Sequence, residues 1–170
     1  MIFQIISYIK FIINSYNSKS IKSIFLNKII DKVFKSELPG NTKQIFKTIR
    51  KSLAINPDKI QVTDYGQGSK LFRDNHRKVA KIARVAGIGR KRGKLLIRLI
   101  QYLKPENILE LGTSVGMGTA CLSLGNPQST ITSLEGCPEP AGVVNNLFKE
   151  FGLTNIKVVV GPFEDTLNQV

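Results

Sequence analysis

The length, composition and charge of the chain set the first limits on its class. It has 170 residues, of which 42% are apolar and 22% charged, and a formal net charge of +13. These values are typical of a globular protein with one core, or one core plus a small helical appendage. The two cysteines, Cys121 and Cys137, have no second Cys or His close by, which excludes a zinc site and a disulfide framework. We therefore expect a soluble, cytoplasmic protein in which both are core or loop thiols.

Charge is divided unevenly along the sequence. Residues 1–104 carry 23 Lys and Arg against 5 Asp and Glu, a net charge of +18, whereas residues 105–170 carry 2 against 7, a net charge of −5. The change near Lys104-Pro105 predicts a basic helical N-terminal region (1–104) and a separate domain (105–170). Clustered Lys and Arg bind nucleic acid or another anion by releasing counterions, but they also occur on the solvated surfaces of helices.

The first fifteen residues are apolar, yet they do not match a targeting or membrane segment. Lys10 interrupts the apolar run, no basic region precedes it and no small-residue cleavage site follows it, so neither a signal peptide nor a transmembrane span is expected. Apolar residues recur instead at helical spacing, at Ile5, Ile6, Ile9, Ile12 and Ile13. This predicts an amphipathic helix over 3–14 that docks on the domain or on a partner chain, with attachment to a membrane surface as the alternative.

Proline and glycine punctuate the next part of the chain. The breaks at Leu38-Pro39-Gly40 and Asn56-Pro57-Asp58 predict helices over Ile21–Phe34 and Thr42–Leu53. The segment 60–69 then alternates polar and apolar residues and ends in a turn.

That turn contains Asp64, Gly66 and Gly68, which imitate the acid and glycines at the start of a cofactor loop. No buried apolar strand precedes them, so we expect a loop on the substrate side, or a lid. After it, the spacing of Val79 and Ile82 predicts an amphipathic helix over Arg73–Val85. His76, near its start, has no group to orient it and is interpreted as a surface residue.

Residues 86–96, AGIGRKRGKLL, place a GxG turn between two helices and follow it with basic residues. The pattern resembles the helix-hairpin-helix element that holds nucleic acid backbone through hairpin amides and nearby Lys or Arg. A C-cap at Gly87 and a tight turn explain the same glycines. Nucleic-acid binding is therefore kept as an alternative function.

The last third of the chain alternates strands and helices in a regular order. Predicted strands lie at 108–111, 131–134 and 156–160, and predicted helices at 117–124, at 141–151 and from Glu164 onward. This predicts an α/β fold: a helical N-terminal extension followed by the first half, β-α-β-α-β, of a Rossmann-like doubly wound parallel sheet. Ligands of such sheets bind at the carboxyl ends of the strands.

The residues at those strand ends suit an adenosine ligand with a cationic tail. Gly112 and Gly116 allow a sharp turn and a close approach of the backbone, while Thr113 and Ser114 offer hydroxyls and a cap for the next helix. Glu135 ends the second strand, where a carboxylate accepts hydrogen bonds from ribose hydroxyls.

Glu110, at the end of the first strand, would balance a positive charge on the ligand. That favours a sulfonium and an amino-acid tail over a pyrophosphate.

The motifs ELGTSVG, SLEGCPE and VVVGPFEDTL resemble the class I S-adenosylmethionine-dependent methyltransferases, most closely the O-methyltransferases with their ExGTxxG loop. The resemblance covers residues 105–170 and implies S-adenosylmethionine as the cofactor. Pro162 departs from the family, whose members commonly carry a polar residue there. The implied cofactor-binding residues are Glu110, Gly112, Thr113, Ser114, Gly116, Glu135, Gly136, Gly161, Phe163 and Glu164.

Members of that family continue into a fourth strand and on to a seven-stranded sheet, whereas this sequence stops within the third helix. We therefore expect a fragment that does not transfer methyl groups alone. Its open sheet edge predicts poor solubility or pairing with another chain, including a homo-oligomer. No catalytic base and no metal ligand is assigned. The expected acceptor is a small molecule, with the basic surface hinting at an anionic one.

A short-chain dehydrogenase is the alternative enzyme class, because Gly112, Gly116 and Gly118 also fit a dinucleotide loop. That class needs a Tyr and a Lys three residues apart downstream of the loop. All four tyrosines precede the loop instead, and a dinucleotide leaves Glu110 unexplained.

Overall fold

The computed structural model describes residues 2–15, 21–63 and 74–170, and the chain divides into two compact units, Met1–Ser36 and Glu37–Val170. Within the described ranges, none of the helices has the length and apolarity needed to cross a bilayer.

The first unit is helical. Helix α1 spans Ile2–Asn14, as predicted, and none of its residues is buried. Helix α2 spans Ile24–Ile29 and begins later than predicted, because the Ser23 hydroxyl accepts a hydrogen bond from the amide of Leu26 at 3.3 Å and caps the helix there. It continues as a π-helix over Ile30–Phe34.

The second unit contains the other helices and all the strands of the described residues. Its elements, in chain order, are α3 Gly40–Ile55, β1 Lys59–Gln61, β2 His76–Lys78, α4 Val79–Val85, α5 Arg90–Leu103, β3 Asn107–Leu111, α6 Met117–Gly125, β4 Thr130–Glu135, α7 Pro138–Glu150, β5 Ile156–Val160, α8 Phe163–Thr166 and a 3₁₀ turn Leu167–Gln169.

Strands β3, β4 and β5 form a parallel sheet in that order, which confirms the predicted α/β fold class. Leu111 lies opposite Leu134, and Glu135 lies opposite Val160, so the carboxyl ends of all three strands meet at one edge. Crossover helices are needed to connect parallel neighbours, and α6 and α7 supply them.

The predicted helix over Arg73–Val85 is wrong at its start. Residues His76–Lys78 form β2, which pairs antiparallel with β1, and the helix begins only at Val79. Residues 64–73, with the turn predicted to act as a lid or substrate loop, lie outside the described residues. His76 is exposed and its Nδ1 lies 3.6 Å from Asp74 Oδ1, in agreement with its interpretation as a surface residue.

Within the second unit, an apolar core joins helices α3 and α5 to the sheet region. Phe46 and Leu53 from α3, Ile97 from α5 and Val144 from α7 are all buried in it. The Phe46 ring of α3 packs on α5 at Gly93, where an added Cβ would lie 2.6 Å from Cζ of Phe46. The change of charge at Lys104-Pro105 therefore falls inside a single compact unit.

Both cysteines are free and buried, as expected of core thiols. Burial raises the pKa of the Cys121 thiol to about 12, so this thiol remains protonated and behaves as an apolar core residue.

Candidate functional site

The loop after β3 bends over the end of β4. The backbone amides of Gly112 and Thr113 both donate to the carbonyl oxygen of Leu134, at 2.8 and 3.2 Å. Gly112 (φ +92°), Ser114 (φ +50°) and Gly116 (φ +79°) have left-handed backbone conformations. Glycine adopts these angles without a steric penalty, which explains the two glycines of the motif.

Two side-chain hydroxyl groups donate hydrogen bonds to the carboxylate of Glu110. Its Oε2 accepts hydrogen bonds from the Thr119 hydroxyl at 2.5 Å and from the Ser133 hydroxyl at 2.6 Å. Burial raises the pKa of this carboxyl, the two hydroxyl contacts oppose that shift, and the nearby Glu135 adds to it. A positive charge placed beside Glu110 would favour its ionised form, so the group is suited to a cationic ligand.

Glu135 joins the loop to the end of β4. Its Oε2 accepts a hydrogen bond from the Ser114 amide at 2.7 Å, and its Oε1 accepts one from the Cys137 amide at 3.0 Å. A carboxylate oxygen can accept more than one hydrogen bond, so both oxygens retain capacity for ligand hydroxyls.

A cavity of about 560 Å³ opens at this edge of the sheet. Five of the predicted residues line it: Gly112, Glu135, Gly136, Phe163 and Glu164. Pro162, Val62 and Thr63 complete the lining. This volume lies within the range of small-molecule sites.

A second, smaller cavity of about 160 Å³ adjoins the loop. Glu110, Thr113 and Ser114 line one part of it, and the turn 86–88 lines another. Gly112 lines both cavities, and a Cβ added to it would meet no atom within 4 Å. We call these two cavities together the carboxylate edge.

The carboxylate edge has one sign of charge. Among the described residues, those that line its cavities include Glu110, Glu135 and Glu164 but no Lys, Arg or His. Such a site attracts a cationic group and repels a phosphate.

Three of the predicted residues have mainly structural surroundings. The Thr113 hydroxyl lies 2.6 Å from the Ser133 hydroxyl and is buried, and Gly161 donates its amide to the Glu135 carbonyl oxygen at 2.9 Å. Gly116 faces α7, where an added Cβ would lie 2.9 Å from Cγ1 of Val144. Neither Thr113 nor Ser114 caps α6, contrary to expectation, because the N-cap is Gly116 and no side chain bonds there.

The sequence predicts a substrate-side or lid loop in the segment 60–69, but it does not indicate that Val62 and Thr63 of that segment line the larger cavity. Val62 and Thr63 reach the larger cavity because residues 61–63 are tied to the start of α7: the Thr63 amide donates to Sγ of Cys137, the N-cap of α7, at 3.4 Å, and the Gln61 amide donates to Oε2 of Glu139. The turn 86–88 was assigned to a hairpin, and nothing in its sequence places it beside Glu110.

The sequence and the fold of the chain were compared with those of known proteins. No family model matches the chain. It is 34% identical to the catechol O-methyltransferase of Mycobacterium tuberculosis (strain ATCC 25618 / H37Rv) over 90 residues, which are 52% of this chain and 40% of that protein.

Among solved structures, it superposes on the SAH-bound Podospora anserina methyltransferase PaMTH1 with a TM-score of 0.53 and 19% identity, over 92% of this chain and 56% of that one. The chain has part of the class I methyltransferase fold. An O-methyltransferase from Bacillus cereus in complex with SAH gives a TM-score of 0.48 and 18% identity, over 84% of this chain and 52% of that one.

The resemblance of the glycine loop to methyltransferases is thus matched by similarity in sequence to an O-methyltransferase and by the fold. The chain spans 40% of the length of the catechol O-methyltransferase and 56% of the length of PaMTH1, which is less than two thirds of each.

Proposed function

We propose that this chain binds S-adenosylmethionine at the carboxylate edge. We further propose that the whole protein is an O-methyltransferase, which transfers the methyl group of this cofactor to a small-molecule acceptor. The proposal is supported by the methyltransferase fold and by the 34% identity over 90 residues to a catechol O-methyltransferase. The observation that carries it is the set of three carboxylates around the glycine loop.

The shape and the charge of the edge both suit this cofactor. Gly112 lines both cavities, and without a side chain it lets a ligand approach the backbone there. S-adenosylmethionine carries a sulfonium and an ammonium group, which the carboxylates of Glu110 and Glu135 would stabilise. A dinucleotide would instead bring a pyrophosphate against these carboxylates, which disfavours the dehydrogenase alternative.

The proposed roles follow the order of residues along the edge. Glu135 would accept hydrogen bonds from the ribose hydroxyls, while Gly136, Phe163 and Glu164 would enclose the adenine on the far side of the larger cavity. Glu110 would lie nearest the cationic methionine end, beside the smaller cavity.

The bound cofactor supplies an activated methyl group, because its sulfonium already provides the leaving group. The contribution of the protein is then positioning. The glycine loop would hold the ligand close to the backbone, and the partly buried Glu110 would fix the positive charge. The turn 86–88 lies where it would form a wall between the methionine end and the acceptor.

Titration calorimetry of the 170-residue chain with S-adenosylmethionine tests the proposal. Glu135→Ala should abolish measurable binding, and Glu135→Gln should weaken it by about tenfold or more, since hydrogen bonds to a charged group contribute about 1.5–3 kcal/mol. The matched control is Glu150→Gln, because Glu150 is exposed at the end of α7, outside the lining of either cavity. It removes the same charge and should leave the affinity within about twofold.

Each failure has a separate meaning. Equal weakening by Glu135→Gln and Glu150→Gln would mean that the overall field, and not the site, attracts the cofactor. Binding of NAD in preference to S-adenosylmethionine by the folded chain would overturn the choice of cofactor.

A further inference from the structure

Another cavity of about 560 Å³ lies between α3 and the start of α5, and its charge is opposite to that of the carboxylate edge. In the part of the chain that the structure describes, its lining consists of Gly40, Gln44, Phe46 and six basic residues: Lys43, Lys47, Arg50, Lys51, Arg90 and Lys94. None of these lining residues is Asp or Glu. We call it the basic cavity.

Among the described residues, few carboxylates neutralise these cations. Lys43 Nζ lies 3.7 Å from Glu37 Oε2, and both side chains are more than half exposed, so the pair is weak. Arg50 donates from Nη1 to the carbonyl oxygen of Ile88 at 2.8 Å, and this acceptor carries no formal charge. Across the described residues, Lys47, Lys51, Arg90 and Lys94 have no ion-pair partner.

Two helix ends add to the positive potential. Gly40 begins α3 and Arg90 begins α5, and both line the cavity. Neither helix has a side-chain cap or an acidic residue in its first turn. The amides of a first helical turn lack partners within the helix, and the helix dipole makes that end positive.

The sequence at the start of α5 is unfavourable for helix stability when no anion is bound there. Arg90, Lys91 and Arg92 fill its first turn, where the dipole favours acidic residues. A bound anion would remove this conflict, and local conflicts of this kind occur at functional sites.

From these observations we propose that the basic cavity binds a small molecule carrying linked phosphate groups, such as a diphosphate or triphosphate ester. The charges come from two helices that face each other across the cavity, an arrangement that can bind adjacent phosphates at once. The volume is that of a small-molecule site. A duplex nucleic acid would call instead for a longer basic surface that follows its backbone.

Calorimetry and thermal unfolding of the full chain with inorganic pyrophosphate test the proposal, with sulfate at the same ionic strength as the comparison. Pyrophosphate should bind saturably and raise the unfolding temperature, and sulfate should bind at least about tenfold more weakly.

Two pairs of substitutions probe the two helices separately: Lys47→Gln with Lys51→Gln on α3, and Arg90→Gln with Lys94→Gln on α5. Each pair should weaken pyrophosphate binding by about tenfold or more. The matched control is Lys149→Gln with Lys157→Gln, which removes two exposed charges of the same unit outside the cavity. It should change the affinity by less than about twofold. Circular dichroism establishes that every variant is folded.

Three results would overturn the proposal. The first is the absence of saturable pyrophosphate binding by the folded chain. The second is equal weakening by the control pair, which would assign the attraction to net charge. The third is tighter binding of a short DNA duplex that the cavity pairs weaken and the control pair does not, which would assign the basic surface to nucleic acid. Because S-adenosylmethionine binding is measured separately, its failure would leave this test intact.

Discussion

The carboxylate edge and the basic cavity lie in one compact unit but are built in different ways. Loop backbone shapes the edge: left-handed residues such as Gly112 place carboxylates at the ends of parallel strands. Helix faces shape the basic cavity, where α3 and α5 present lysines and arginines to each other. The first arrangement depends on backbone conformation, and the second depends on how closely two helices pack.

The comparison also explains the division of charge along the sequence. The three acidic residues of the edge come from residues 105–170, and the six cations of the cavity come from residues 43–94. Folding into one unit does not mix them, because each set lines its own cavity. Opposite charges therefore remain available for two ligands of opposite sign.

The largest expected effect concerns the backbone of the edge. Gly116→Ala should lower the free energy of unfolding by about 2–5 kcal/mol, because it combines a left-handed conformation (φ +79°) with a contact of 2.9 Å to Val144. Urea unfolding followed by circular dichroism measures it.

Gly112→Ala is the matched control, with φ +92° but open space around the added Cβ. It should destabilise by only about 1–2 kcal/mol while it abolishes S-adenosylmethionine binding. Similar losses of stability from both substitutions would show that packing against α7 does not matter at Gly116.

The next effect concerns the spacing of helices at the basic cavity. Gly93→Ala should destabilise by about 1–2 kcal/mol, since overpacking against Phe46 outweighs the gain in helix propensity. It should also weaken pyrophosphate binding by moving α5 away from α3.

Gly142→Ala on α7 provides the control, because nothing lies within 4 Å of its added Cβ. There the helix propensity acts alone and should stabilise by about 0.5–1 kcal/mol, so the two substitutions should have opposite signs in thermal unfolding. A gain in stability at both positions would contradict the close packing of α3 and α5.

Salt should separate the two sites. Between about 50 and about 500 mM NaCl, pyrophosphate affinity should fall by about tenfold or more, because most of the cations of the basic cavity are exposed. S-adenosylmethionine affinity should fall by less than about threefold, since Glu110 is partly buried. Calorimetric titrations at each salt concentration give both slopes, and equal slopes would contradict the difference in burial.

The smallest effect concerns protonation of Glu110. Because burial raises its pKa above 4.5 in the folded chain, the native state binds this proton more tightly than the unfolded state does. Binding of this proton therefore stabilises the folded chain. The stabilisation is complete below the pKa that Glu110 has in the unfolded chain, and it is lost as pH rises through the pKa that Glu110 has in the folded chain.

Glu110→Gln should therefore be slightly more stable than the original chain at neutral pH, with the difference vanishing in acid. The unfolding temperatures of both chains, measured from about pH 4 to about pH 8, provide the check. Saturating S-adenosylmethionine should reverse the order, because the cofactor is proposed to bind the ionised carboxylate. A constant difference at all pH values would contradict the raised pKa.

The sheet and its edge were predictable because their signals are local. The apolar runs that became β3, β4 and β5 are each followed by turn residues, and parallel strands bring Glu110 and Glu135 to one edge whatever the rest of the chain does. The cofactor roles of these residues remain predictions.

Other features depend on contacts between distant residues. Strands β1 and β2 have three residues each, too few for alternation to be recognised, and their pairing spans residues 64–73. The sequence indicates that residues 1–104 are basic, but it does not reveal that Lys47 and Arg90 line the same cavity. That information comes from the packing of α5 on α3 at Gly93.

The hydrogen bond from Arg50 to the Ile88 carbonyl oxygen connects the two sites. Arg50 lines the basic cavity, while Ile88 belongs to the turn beside Glu110. Linkage between two binding equilibria is reciprocal: whatever factor pyrophosphate applies to the affinity for the cofactor, the cofactor must apply to the affinity for pyrophosphate. A pair of titrations, each made with the other ligand at saturation, would therefore measure the free energy of coupling transmitted between the cavities.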